Sequence, residues 1–218
     1  MIDVTVLIST SPRPSHPSTR IIDQTIASVR SHLPEAPIHL MCDGANPLPK
    51  EYVEFIDAVR PRVTRGELFG EHKHQSGMIG FTLERVTTPL ILYVEDDWEF
   101  YPDIEWDELG VLILSGEFNY IKFHAAPRIH PLHERMMRER VMYNGEKTHL
   151  IRTVQWSQNP HLASTAFYRE INEKYLAGTC DYIENILAGV SNESMKLGIY
   201  NPVHGDMIRI HHLDGDQP

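Results

Sequence analysis

Three short apolar runs set the limits on this fold. Val4-Thr5-Val6-Leu7-Ile8, Ile38-His39-Leu40-Met41-Cys42 and Leu90-Ile91-Leu92-Tyr93-Val94 are aliphatic or β-branched almost throughout. That continuity, rather than strict alternation with polar residues, is the pattern of strands covered on both faces. Helical periodicity fills the gaps between them. Ser18 to Leu33 carries Ile22, Ile26, Val29 and Leu33 on one face, with Pro34 beyond its end. Lys50 to Val59 carries Tyr52, Val53, Phe55 and Ile56 and meets Pro61, and Gln75 to Val86 carries Ile79 and Leu83. Buried strands separated by helices predict an α/β chain with a mostly parallel, Rossmann-like sheet.

The second half is less regular. Leu109 to Leu114 reads as a helix and Tyr120 to Phe123 as a strand. Ala125 to Thr148 reads as a long excursion rich in His, Arg and Met. Helices are expected near Arg169–Leu176 and Asp181–Leu197, and a last strand around Met207–Ile210. No internal repeat or Gly/Ser linker interrupts the chain, so residues 1–218 are expected to form one domain. Within it, residues 1–100 would be a nucleotide half and residues 101–218 an acceptor half.

Charge narrows the function. Thirty acidic residues against twenty Lys and Arg leave a formal charge of −10, the opposite of what a nucleic-acid backbone requires, so no nucleic-acid partner is expected. An acidic protein can still hold a phosphorylated ligand if a cation intervenes. No apolar run reaches the roughly 20 residues that cross a bilayer, so no transmembrane segment is expected. Met1-Ile2-Asp3 lacks a basic leader region, and two cysteines, Cys42 and Cys180, make no disulfide framework; both point to a cytoplasmic protein.

The strongest chemical signal is Val94-Glu95-Asp96-Asp97-Trp98. Three carboxylates at the end of a buried strand repel one another and raise each other's pKa values. Bound Mg²⁺ or Mn²⁺ would relieve that, because hard cations take oxygen ligands. In open parallel sheets, ligands collect beyond the carboxyl ends of the strands, where this cluster lies. A solvated acidic turn is the plainer alternative.

With these residues in view, the sequence resembles the GT-A glycosyltransferases, especially the inverting, nucleotide-sugar-dependent group. Val4–Arg13 is similar to the opening strand and its Ser/Thr/Pro end, Ile38–Asp43 to the second strand and its Asp, and Leu90–Asp97 to the strand that ends in a D-x-D motif. Glu95 replaces the first Asp of that motif. The resemblance implies a three-layer sandwich, a UDP-type donor, a saccharide acceptor and a Mn²⁺ or Mg²⁺ cofactor. It implies that Asp97 binds the metal and that Glu95 or Asp96 reaches the ribose or a metal-bound water. Asp43 would accept a hydrogen bond from a pyrimidine base, and Thr10, Ser11 and Arg13 would lie against the nucleotide. As structural residues, the same positions make a good turn at Asp43-Gly44 and a good loop at Ser11–Pro14.

An inverting transfer needs a carboxylate to take the acceptor proton. Asp181, expected at the start of a helix, is similar to the family's base, although Cys180 stands where a preceding acid is usual; Glu184, one turn on, is the rival. Either could instead be an N-cap or a solvated helix residue. Trp156, Asn159 and His161 combine an aromatic face with hydrogen-bonding groups and are expected to form a sugar or acceptor wall, with a structural loop around a core Trp as the alternative. Trp98 is expected in the core. The resemblance also implies a C-terminal His in the metal shell, filled by His211 or His212. Asp214-Gly215-Asp216 lacks the twelve-residue calcium pattern, and Glu71-His72-Lys73-His74 lacks spaced zinc partners. Phosphate and dinucleotide glycine fingerprints are absent. A nucleotidyltransferase and a non-catalytic sugar-binding module are the competing functions; the loop Ser9–Pro14 has no glycine, which weakens the first.

Overall fold

The computed structural model describes residues 2–71, 73–125, 130–143, 148–200 and 210–213. Its first half runs β1 (Val4–Thr10), α1 (Arg20–His32), β2 (Ile38–Cys42), α2 (Lys50–Val59), β3 (Arg65–Leu68), α3 (His74–Leu83), β4 (Leu90–Glu95) and β5 (Trp98–Phe100). The second half adds α4 (Trp106–Leu114), β6 (Tyr120–Phe123), α5 (Pro131–Glu134), β7 (Met137–Tyr143), β8 (Thr148–Thr153) and β9 (His161–Ser164). It ends with α6 (Thr165–Ile171), a π turn over Asn172–Leu176, α7 (Ile183–Ala188), β10 (Leu197–Tyr200) and β11 (Ile210–His212).

Among the described residues, nine strands form one sheet in the order β3-β2-β1-β4-β9-β6-β10-β8-β7. The strand pairs show β8 and β9 running against the other seven, so the sheet is mostly parallel, as expected. β1 lies between β2 and β4 and all seven of its residues are buried, which is why it is mainly aliphatic and its hydroxyls, on Thr5, Ser9 and Thr10, are hydrogen-bonded. Side chains leave these strands in alternation. Val4, Val6 and Ile8, with Leu90, Leu92 and Val94, pack with Ile22, Val29, Phe55 and Leu109 of α1, α2 and α4. Leu7, Ile91 and Tyr93 pack on the other side with Ile79, Tyr168 and Ile183 of α3, α6 and α7. Helix, sheet and helix make the expected three layers.

β2, α2 and β6 have the bounds read from the sequence, and β1, α1, α3 and β4 differ at their ends by one to three residues. Other expectations are corrected. The helix expected over Asp181–Leu197 is broken: α7 ends at Ala188, before Gly189, and Leu197 opens the parallel strand β10 beside β6. The excursion from Ala125 contains β7, which pairs with β8 as an antiparallel hairpin at the sheet's edge. The last strand is Ile210–His212, pairing with β5 in a separate ribbon; Met207, Ile208 and Arg209 lie outside the described residues. Among the described residues, no helix is long and apolar enough to cross a membrane.

Candidate active site

Register brings three strand ends together. Thr10 pairs with Cys42 and Ser9 with Glu95, so Ser11, Asp43 and Asp96 emerge at one edge of the sheet. A cleft of about 480 Å³ opens there, lined by Thr10, Ser11, Arg13, Asp43 and Glu95 together with Gln75. These are five of the expected nucleotide residues; the sixth, Asp96, sits behind Thr10 and Arg13.

Asp96 is 3 % exposed. It accepts from Thr10 Oγ1 at 2.5 Å and from Arg13 Nη2 at 2.6 Å, and its carbonyl accepts from Thr25 Oγ1 at 2.9 Å. Burial pushes its carboxyl up to about 7, with Arg13 pulling the other way. Burial and then the neighbouring Asp97 raise Glu95 likewise, to about 7. Gln75 Nε2 donates to Glu95 Oε1 at 2.8 Å. Three carboxylates share one small volume, and Arg13 supplies the positive charge among them.

Asp97 is also buried, at 6 % exposure. Its Oδ2 accepts from Arg13 Nη1 at 3.1 Å and lies 3.2 Å from His212 Nε2. Its Oδ1 is buried and has no hydrogen-bond partner among the described residues. The β5–β11 ribbon sets this up: His212 pairs with Trp98 and His211 with Glu99, so only His212 turns toward Asp97. His211 instead stacks near Tyr101, ring centroids 6.2 Å apart. Among the described residues no three His, Cys, Asp or Glu side chains converge on a point. The Asp97 carboxylate, with its orphaned oxygen, could nevertheless hold Mg²⁺, or Mn²⁺ with the help of the His212 imidazole, if phosphate and water filled the rest of the shell. Trp98 is in the core at 7 % exposure and packs on His212.

Asp43 closes the other side. Its Oδ1 accepts the backbone N–H of Lys73 at 2.7 Å and of His74 at 3.2 Å, satisfying amides at the start of α3 that have no helical partner. Gly44 is required by close approach: a Cβ there would run into the Phe69 carbonyl and lie 2.6 Å from that of Glu71. The Asp-Gly pair is therefore a packed junction rather than an open turn. Glu71 and Lys73 form an ion pair at 2.9 Å, and His72 lies outside the described residues, as does Asp214-Gly215-Asp216.

The candidate bases are exposed. Asp181 is not the N-cap, since α7 starts at Ile183 and is capped by Tyr182. Its Oδ1 accepts from Asn185 Nδ2 at 3.0 Å and from the Tyr182 N–H at 2.7 Å, which holds its pKa below the ordinary carboxylate value. Asp181 is tied to the cleft from behind: its N–H donates to Ser76 Oγ at 3.0 Å, and its carbonyl accepts the Ser76 N–H at 3.2 Å. The adjoining Tyr182 lines the cleft and sits against His74 at 5.2 Å. Neither Asp181 nor Glu184 itself lines the cleft.

The expected sugar wall is corrected. Trp156 is 1 % exposed and His161 fully buried. His161 lies between Tyr93 and Tyr168, rings 5.2 and 5.6 Å away and nearly parallel. Its Nε2 bonds the Tyr168 hydroxyl and its Nδ1 the Asn159 carbonyl. Burial pushes the imidazole down to about 3. These aromatics stabilise the α3–α6 layer and present no face to a sugar. Asn159 alone of the three is partly exposed. Sequence reasoning missed His74, Gln75, Met78 and Tyr182 as cleft residues. The available signal was position, since the first turn of α3 points at the same sheet edge as the acidic cluster.

No protein-family model and no curated protein matches the chain. Solved structures do. S. aureus TarS matches 97 % of the chain and 36 % of its own length at 11 % identity and a TM-score of 0.57. GalNAc-T7 with UDP, GalNAc and Mn²⁺ matches 91 % of the chain and 42 % of its own length at 11 % identity and 0.56. A nucleotidyl transferase from Methanothermobacter matches 93 % and 88 % at 12 % identity and 0.53. The chain thus spans well under two thirds of TarS and GalNAc-T7. At these identities the likeness is one of fold, and the fold is GT-A.

Proposed function

We propose that this protein is a metal-dependent glycosyltransferase that moves a sugar from a UDP-type donor to a saccharide acceptor with inversion. The observation that carries the reading is the carboxylate cluster at the end of β4, whose Glu95 lines a cleft with Thr10 and Asp43 and whose Asp97 keeps one buried oxygen without a hydrogen-bond partner among the described residues. Solved GT-A structures of this shape include TarS with UDP-GlcNAc and GalNAc-T7 with UDP and Mn²⁺. In this reading residues 1–100 bind the nucleotide and residues 101–218 complete the acceptor side.

Asp97 and His212 would hold the cation. A bound Mn²⁺ or Mg²⁺ supplies charge neutralisation for the departing diphosphate. Thr10, Ser11 and Arg13 orient the nucleotide, and Asp43 faces the base. Asp181 takes the acceptor hydroxyl proton as the acceptor oxygen bonds to the anomeric carbon. The anomeric carbon–phosphate oxygen bond breaks and UDP leaves with that electron pair. Glu184 is the alternative base. Calorimetry with UDP, with and without Mn²⁺, tests the reading: tight binding only with metal is expected, and metal-independent or undetectable UDP binding overturns it.

A second reading, nucleotidyl transfer, draws support from the Methanothermobacter structure, 88 % of which the chain covers. Release of pyrophosphate rather than UDP would select it. The glycine-free loop after β1 favours glycosyl transfer.

A further inference from the structure

Arg13 is held by both carboxylates of the pair that follows Glu95. Nη2 lies 2.6 Å from Asp96 Oδ1 and Nη1 3.1 Å from Asp97 Oδ2, a two-pronged contact that spans successive residues of one strand end. Asp97 Oδ2 is thereby committed to the guanidinium, while the buried Oδ1 has no hydrogen-bond partner among the described residues. A divalent cation ligated by Asp97 needs these oxygens and meets a fixed positive charge about 3 Å from one of them, where Coulomb repulsion is large in a partly desolvated site.

Arg13 sits at the rim of the cleft. Its side chain is one-fifth exposed, 21 %. Pro12 and Pro14 flank it and its own N–H donates to His16 Nδ1 at 3.2 Å, so the backbone is fixed while the side chain is long. Arg13 borders two hollows: the cleft beside Glu95, and a second one of about 580 Å³ against His16, Pro49 and Tyr52. A guanidinium also matches phosphate oxygens in the same two-pronged way that it matches carboxylates.

From this geometry we infer that Arg13 is the resident counter-cation of the acidic strand end and excludes the metal until a diphosphate draws it away. Metal loading then follows or accompanies the nucleotide and does not precede it. The exclusion rests on the contacts of Arg13; the hand-over to phosphate rests also on the nucleotide-donor reading above.

The test is Mn²⁺ binding to the whole protein, read by electron paramagnetic resonance of the free ion, with no turnover required. Arg13→Met is expected to bind Mn²⁺ about tenfold tighter than wild type without nucleotide, and Arg13→Lys to fall between the two, since one ammonium cannot span both carboxylates. In wild type, UDP is expected to raise Mn²⁺ affinity, and in Arg13→Met that effect shrinks. Unchanged or weaker Mn²⁺ binding in Arg13→Met overturns the inference, as does Mn²⁺ binding by neither protein. If Arg13→Met does not fold, an Arg13→Lys affinity no higher than wild type overturns it equally. A gain in Mn²⁺ affinity with no effect of UDP on either protein leaves the exclusion standing and removes the nucleotide reading.

Discussion

The Asp43 carboxylate, at the end of the second strand, accepts the backbone N–H groups of Lys73 and His74 at 2.7 and 3.2 Å. A residue on the cleft wall therefore also pins the first turn of the helix that carries Gln75 and Ser76. Asp43→Ala should lower unfolding free energy by about 1–2 kcal/mol, the cost of losing a helix cap, and weaken UDP binding at the same time. Asp43→Asn keeps an accepting oxygen and should recover most of the stability. Urea melts and calorimetry on the two variants check this; equal stability of Asp43→Ala and wild type would contradict it.

Asp97→Asn keeps the shape of the side chain and removes its charge. Mn²⁺-dependent UDP binding should fall by about tenfold or more, with the thermal midpoint little changed, because the weakened Arg13 contact offsets the relieved repulsion from Glu95. Metal titrations and a melting curve on one preparation suffice.

If Asp181 is the base, Asp181→Asn should reduce kcat by about 10²–10⁴ and leave UDP affinity within about twofold. Glu184→Gln serves as the comparison. A large loss in Glu184→Gln with near-normal Asp181→Asn would transfer the role to Glu184.

His161 gives a pH signature. Its folded pKa, about 3, lies below the ordinary 6.5 because it is buried. Above 6.5 the imidazole is neutral in both states and stability is at its full value. As pH falls below 6.5 the unfolded chain takes up a proton that the folded protein refuses. Stability should then drop by up to about 1.4 kcal/mol per pH unit until the folded pKa is reached. Glu95 and Asp96, raised to about 7, gain stability over the same interval, so the His161 contribution is read as a difference: between pH 7 and pH 5, urea melts should show wild type losing more, or gaining less, than His161→Asn.

Trp156→Ala should cost about 3–5 kcal/mol, as for a large aromatic removed from a core. Its consequence is loss of fold, read by melting, with no selective effect on sugar binding in whatever fraction stays folded.

Much of the first half was legible because its strands are buried on both faces and bounded by Pro, Gly or Asp. β2 and α2 could be bounded to the residue for that reason. β9 was not, since it is four residues, His161–Ser164, inserted antiparallel between β4 and β6, and no local pattern announces a partner some 70 residues away. β7 hid for the opposite reason: as an edge strand its Arg138, Glu139 and Arg140 are exposed, and their charges read as loop. In the cleft, the residues at strand ends were found by position. The contact of Arg13 with Asp96 and Asp97 spans 83 and 84 residues and depends on register alone. Trp156 and His161 allow two readings in the sequence, a sugar wall or a core cluster, because an aromatic beside hydrogen-bonding groups has the same composition in both; their burial fits the second.

The placement of β9 also limits how the chain can be cut. Leu90 to Tyr93 bond to Ser164 through His161 on one side of β4, so the two halves of the polypeptide are zipped together at the centre of the sheet. A truncated product ending near residue 100 would bare that aliphatic border and self-associate. Soluble recovery should return when residues 101–218 are supplied in trans, making the pair a natural split reporter.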